Sequence, residues 1–281
     1  MPVFKINLFF IVLLVFFWWF ASGTHFLAAF SLVVMHELVH AIVAALKGFE
    51  ISQIEILPFG GAAEYSGLLE MYPSVEMLVA LAGPLSNMIL LPLFYFLELD
   101  IFLKYSLVLA LFNLVPLLPL DGGRVLRSIL VRKRGFKRGT EAVVTFSRIG
   151  AVVLFLTGLV MIAVNYLSVV FIITAIFIYY AAFRENEQFY YRLLSYLVLR
   201  KNKPEDFDLK EIFARVVVKE FPVEELILQL SPEKYNVFYV VDGKYNIISV
   251  LSETSLLDAF FSLQESNLRL VDILEESDYE C

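Results

Sequence analysis

Six apolar stretches, at about residues 4–21, 25–46, 74–97, 100–120, 142–164 and 166–183, fill the first two thirds of this chain. Each approaches the roughly 20 residues that an α-helix needs to cross a bilayer. Inside hydrocarbon every backbone amide must be satisfied within the protein, so such stretches are expected to be helices. The overall hydrophobic share of 59% agrees with that reading, since soluble domains hold about 45–50%. The run from Ile6 to Ala21 lacks a strongly basic leader and is followed at once by more apolar sequence. It is expected to be a retained first span, not a cleaved signal.

Basic residues orient such a chain, because Lys and Arg collect on the cytoplasmic side. Arg124, Arg127, Arg132, Lys133, Arg134, Lys137 and Arg138 follow the fourth stretch, and Arg184, Arg192, Arg200, Lys201 and Lys203 follow the sixth. Both places are expected in the cytoplasm, which puts the N-terminus and the C-terminal tail there too. The formal net charge of −7 comes largely from that tail. No basic surface interleaved with aromatics points to nucleic acid. Cys281 is the only cysteine, so no internal disulfide can form.

His36-Glu37-Leu38-Val39-His40 lies inside the apolar run from Phe26 to Leu46. Ionisable groups at such depth are costly and usually face a wet or protein-lined interior for a functional reason. Residues four apart share a helix face. His36 and His40 can therefore grip one metal ion, with Glu37 beside its open side. This is the H-E-x-x-H zinc signature, in which the Glu serves as general base. His25, the remaining histidine, stands at the start of the second stretch and reads as an interfacial residue.

A catalytic zinc needs a third protein ligand and one open position. Leu46 stands where a third histidine would close the pattern. Glu55, Glu64, Glu70, Glu76, Asp100 and Asp121 are the carboxylates to consider. Asp121 is favoured. It follows Asn113-Leu114-Val115-Pro116-Leu117-Leu118-Pro119-Leu120 and precedes Gly122-Gly123. Two prolines break the helix there, and two glycines permit close backbone approach. The competing reading is an N-cap for the next helix.

Between the second and third stretches, β-prone Ile51, Ile54, Ile56 and Leu57 precede the turn signal Pro58-Phe59-Gly60-Gly61. A short hairpin dipping toward the membrane is expected. Beyond Lys203 the pattern becomes that of a small α/β unit. Tyr235–Val241 and Tyr245–Leu251 read as strands joined at Asp242-Gly243, followed by an amphipathic helix at 255–264.

The two distant motifs, His36–His40 and Asn113–Gly123, together resemble the site-2 protease family of intramembrane zinc proteases. Ala82-Gly83-Pro84-Leu85-Ser86-Asn87 and Phe59-Gly60-Gly61 also match that family, and the resemblance covers about residues 25–130. It implies one zinc held by His36, His40 and Asp121, with Glu37 activating water. It also implies that Asn113 holds the substrate backbone or the oxyanion, and that Phe59, Gly60 and Gly61 bind substrate. A helical substrate must be locally unwound, and an edge near 51–65 is expected to pair the extended segment as an added strand.

The tail resembles a cystathionine-β-synthase (CBS) domain in its strand–turn–strand–helix order. Ser252 and Ser255 stand where that family's ribose-contacting pattern has Thr and Asp. Adenine-nucleotide (ATP) binding and a docking-only role are thus both readings of the tail. Pairing of such units implies a homo-oligomer. A six-span core with one short CBS-like tail resembles a sporulation subgroup of the protease family. That implies a membrane-associated sigma-factor precursor as substrate and membrane-protein inhibitors as partners. The expected organisation is a transmembrane zinc protease domain at 1–184, a linker at 185–203 and a CBS-like cytosolic domain at 204–281. The fold class is a polytopic α-helical membrane protein of about six spans with a membrane-associated hairpin, plus a small α/β domain. A CBS-regulated transporter or channel is the alternative, since transporters also place carboxylates at broken helices.

Overall fold

The computed structural model describes residues 3–6, 23–49, 51–57, 60–65, 72–162, 168–202, 211–231, 234–263 and 268–277. Of the expected first span, 4–21, residues 7–21 lie outside them, and 4–6 belong to a short strand β1 at Val3–Ile6. The chain divides into two compact units. One comprises Met1–Ser128 and Val143–Glu185, the other Ile129–Ala142 and Asn186–Cys281.

The first unit is built on helices α1 (Gly23–Leu46), α2 (Pro73–Phe96) and α3 (Asp100–Asn113), each packed on the other two. Ala44 of α1 and Val79 of α2 are fully buried between them. Outward positions such as Leu27, Ile89, Phe96 and Val160 are apolar and exposed. A helix that is apolar all round suits a lipid surround. Thr24–Leu46, Pro73–Phe96 and Phe136–Ile162 are long and apolar enough to cross a membrane. At 1.5 Å per residue the shortest of these reaches about 35 Å.

The fourth expected stretch, 100–120, is helical only to Asn113. The remainder, Leu114–Leu120, is an irregular loop containing a cis Leu118–Pro119 peptide. Pro116 and Pro119 lack the amide protons that helix continuation requires. Helix α4 then starts at Asp121 and runs to Arg134, and α5 spans Phe136–Ile162. Gly135, at φ +83°, separates the two, a conformation that suits glycine.

In the expected hairpin region, β2 (Ile51–Leu57) pairs antiparallel with β3 (Gly60–Tyr65), and β1 adds in parallel on the other edge of β2. β3 lies beside α1. Residues 185–202 of the expected linker are helical and continue helix α6, which runs unbroken over Val169–Asn202. Its apolar sequence ends at Phe183, but no proline or glycine follows before Pro204, and the helix ends just ahead of it.

In the second unit, β4 (Ile212–Val218) pairs in parallel with β5 (Tyr235–Val241), which pairs antiparallel with β6 (Ile247–Ser252). The short helix α7 (Val223–Ile227), α8 (Glu253–Leu263) and α9 (Leu270–Ser277) complete it. Phe238, Val240, Leu226, Leu256 and Leu270 are its buried centre. The 242–246 turn is held by Asp242, whose Oδ1 accepts from the amides of Lys244 (2.8 Å) and Asn246 (2.9 Å). Its Oδ2 accepts from Asn246 Nδ2.

Candidate metal centre

α1 is uninterrupted from Gly23 to Leu46, so the four-residue spacing of His36 and His40 stacks their rings on one face. The ring centroids are 4.7 Å apart and nearly perpendicular. Both side chains are buried, at 2% and 4% exposure, whereas Glu37 is half-buried.

Asp121 reaches these rings because the loop before it folds back. Leu120 N–H donates to Leu117 O at 2.9 Å, and Gly123 N–H donates to Leu120 O at 2.9 Å. A Cβ on Gly122 would lie 2.3 Å from Leu114 O, so the tight return requires glycine. The loop is anchored from α5, where Ser147 Oγ accepts from Leu118 N–H at 2.8 Å.

Asp121 Oδ2 lies 3.0 Å from His36 Nε2 and 3.2 Å from His40 Nε2, and the two Nε2 atoms are 3.1 Å apart. His40 Nδ1 lies 2.6 Å from Val79 O. A carbonyl only accepts, so Nδ1 carries the proton and a neutral His40 turns a lone pair inward at Nε2. Two imidazole nitrogens and a carboxylate oxygen thus converge, all within 4.8 Å of one another. Bonds of about 2.0–2.1 Å meeting at tetrahedral angles would put zinc donors about 3.3–3.4 Å apart. The observed separations sit just inside that spacing. The donor types are those zinc accepts, and the residues present fit the ion.

α2 supplies the rest of the surroundings. Gly83 leaves the room that the two rings fill: a Cβ there would lie 2.3 Å from His40 Nε2 and 2.7 Å from His36 Cε1. Asn87, fully buried, places Nδ2 3.0 Å from His36 Nδ1. Farther along, buried Glu76 accepts from Arg127 Nη2 and from Ser128 Oγ, and Arg127 Nη1 donates to Glu185. These contacts tie α4, which begins with Asp121, to α2 and α6.

The other expected residues are placed differently. Asn113 is half-buried at the end of α3, and its Nδ2 donates to Leu109 O at 3.1 Å. Gly60 and Gly61 begin β3, opposite Leu57 and Ile56, while Phe59 lies outside the described residues. His25 pairs with the Tyr105 hydroxyl at 3.2 Å. In the tail, Ser252 caps α8 by accepting from Ser255 N–H at 3.1 Å, and the Ser252 and Ser255 hydroxyls bond each other. Sequence reasoning missed Asn87 and Gly83 as neighbours of the histidines. The stretch Ala82–Asn87 was read only as a family match; a further signal for Asn87 was an amide set in an apolar helix, which must find a buried partner.

Helices of membrane-spanning length enclosing a His–His–carboxylate cluster define an integral membrane protein with a metal-binding interior. The family model described as peptidase family M50 matches residues 24–104 and 93–157, which contain the whole cluster. A zinc metalloprotease of Methanocaldococcus jannaschii is 29% identical over 78% of this chain, which spans 64% of that relative's length. Stage IV sporulation protein FB of Bacillus subtilis is 26% identical over 86% of both chains. Among solved structures, the site-2 protease of Methanocaldococcus jannaschii is 28% identical. It superposes with a TM-score of 0.53, covering 65% of this chain and 90% of the other. Residues 24–157 are thus similar to peptidase family M50, and the fold to a site-2 protease.

Proposed function

We propose that this protein is an intramembrane zinc endopeptidase that cleaves a membrane-associated protein. The observation that carries the reading is the convergence of His36 Nε2, His40 Nε2 and Asp121 Oδ2, with Glu37 one residue along the same helix. His36, His40 and Asp121 would hold about one zinc per chain, leaving one position open. Bound there, zinc supplies Lewis-acid polarisation of a carbonyl and activation of water. Glu37, the half-buried neighbour, takes the proton from the attacking water and returns it to the leaving amine. The helices exclude bulk solvent, which strengthens each charge interaction at the site. A helical substrate hides its peptide bonds, so it must be unwound. The β2–β3 hairpin would pair with the extended segment, with Phe59, Gly60 and Gly61 at its turn, and Asn113 would hold that segment from α3.

The wider reading has about six spans, both termini in the cytoplasm, and a protease domain at 1–184 followed by a CBS-like domain from about 204. The similarity to stage IV sporulation protein FB, over most of both chains, supports a sporulation role. A sigma-factor proprotein is then the substrate and membrane proteins are the inhibitors. The tail would bind an adenine nucleotide or dock the substrate. It would also support a homo-oligomer: Ile212, Val216, Ile248 and Val250 leave its sheet with exposed apolar residues. None of the relatives described favours the transporter or channel alternative.

The test is cleavage by purified, zinc-loaded protein in detergent or vesicles, using a membrane-associated precursor as substrate. Loss of cleavage with Glu37→Gln, at unchanged zinc content, is the expected result. Cleavage by Glu37→Gln at the wild-type rate would place the general base elsewhere. Deleting 204–281 should leave zinc in the core and slow cleavage of the native precursor.

A further inference from the structure

Asn87 is fully buried in α2, and its backbone carbonyl accepts from the buried Ser106 hydroxyl of α3 at 3.0 Å. Its side chain is therefore held at one depth beside α1. There it offers Nδ2 to His36 Nδ1 at 3.0 Å, while its Oδ1 is buried with no hydrogen-bond partner among the described residues. A buried carbonyl oxygen left in that state is unfavourable and calls for an explanation.

The explanation lies in the proton on His36. An amide N–H directed at Nδ1 suits an imidazole whose proton is on Nε2. Nε2 can then donate to Asp121 Oδ2, 3.0 Å away. That tautomer cannot ligate a metal through Nε2, because its lone pair is on Nδ1. When Nε2 serves the metal, the proton moves to Nδ1 and needs an acceptor, and Nδ2 is not one. A half-turn of the Asn87 amide replaces Nδ2 with Oδ1, the atom now lacking a partner. A carboxamide can serve both tautomers from one buried position. His40 has no such freedom, because Val79 O only accepts and keeps its Nδ1 protonated at all times.

We propose that Asn87 is the positioning residue that sets the tautomer of His36. Its amide donates to Nδ1 in the metal-free site and turns to accept Nδ1–H through Oδ1 when zinc is bound. The assignment rests on the metal reading of the site. It gives the two histidine ligands different partners, a fixed carbonyl for His40 and a reversible amide for His36. Outer partners of this kind orient the ring and raise its basicity as a ligand.

The test uses the full chain purified in detergent, stripped of zinc and titrated in competition with a chromophoric chelator. Asn87→Asp keeps an acceptor and should hold zinc about as tightly as the wild type. Asn87→Leu keeps the shape without the acceptor and should bind roughly 10–100-fold more weakly. Equal affinity in Asn87→Leu and wild type would overturn the assignment. So would an Asn87→Asp as weak as Asn87→Leu, which would mark the side chain as packing only. Nitrogen-15 histidine NMR of the wild type gives a reading that needs no variant to fold. His36 should show a protonated Nδ1 with zinc and a protonated Nε2 without it, and an unchanged tautomer would defeat the proposal. A wild-type chain that binds no zinc would instead defeat the metal reading, and this assignment with it.

Discussion

Gly83 of α2 faces His40 of α1 so closely that a β-carbon on it would lie 2.3 Å from Nε2. The absent side chain is space that the imidazole occupies. Gly83→Ala is therefore expected to push the His36 and His40 rings away from Asp121. Overpacking of this kind costs about 1–3 kcal/mol, which is roughly a fivefold to hundredfold weakening of zinc affinity. Chelator competition on the purified chain checks it; an unchanged affinity would mean that the helices separate freely.

Glu37 is not among the three converging donor atoms. Glu37→Gln should thus keep its zinc and lose cleavage by about 10²–10⁴-fold, the usual contribution of a positioned general base. Zinc content and turnover measured on one preparation separate the two effects.

Asp121→Asn should lower both zinc affinity and activity, because the amide replaces the anionic donor opposite two neutral rings. Glu64 lies on β3, in the register opposite Gln53. Glu64→Gln is expected to change zinc content little. Loss of zinc in Glu64→Gln with retention in Asp121→Asn would identify the wrong third ligand.

Arg127 and Glu76 are both nearly sealed from solvent, at 6% and 1% side-chain exposure. Arg127→Met removes the nearer of two arginines at the Glu76 carboxylate and leaves Arg124 at 3.8 Å, so the cost is expected below the about 3–5 kcal/mol of a fully uncompensated buried charge. The double variant Arg127→Met with Glu76→Gln should recover part of that loss. Thermal unfolding in detergent, wild type against both, reads the difference.

Asp242 is held below the ordinary carboxylate range by the Asn246 side chain, then by the amides of Asn246 and Lys244. A lowered folded value means that its stabilisation is complete above the unfolded pKa, about 3.9. It is lost as pH falls through the folded value. Asp242→Asn should remove this acid-side dependence. Circular dichroism followed down in pH, variant against wild type, measures it. Identical acid profiles would show that the turn does not depend on the charge.

Much of this architecture could be read directly from residue order. Apolar runs of bilayer length dictate helices, because lipid offers backbone amides no other partner. The interval from His36 to His40 dictates a shared face, because helical periodicity is local. Pro116, Pro119 and Gly122-Gly123 announced a break near Asp121, since each acts on its own backbone. The conformation of 185–202 was not legible in this way: its charge suggested a linker, and gave no sign that α6 continues through it to Asn202. Composition reports polarity there, whereas helix ends depend on caps and breakers.

What only the tertiary structure decided is which atoms meet across helices. Asp121 stands 85 residues from His36 along the chain, and their 3.0 Å approach requires the loop to fold onto Gly122 and be pinned by Ser147. Gly83 and Asn87, visible in sequence as part of a motif, acquire a physical role only once α2 lies against α1. A missing β-carbon and a buried amide are ordinary residues in sequence, and become a ring-sized space and a proton partner through packing. Local rules governed the helices and their breaks. The site depended on close packing between elements far apart in the chain, which residue order does not encode at short range.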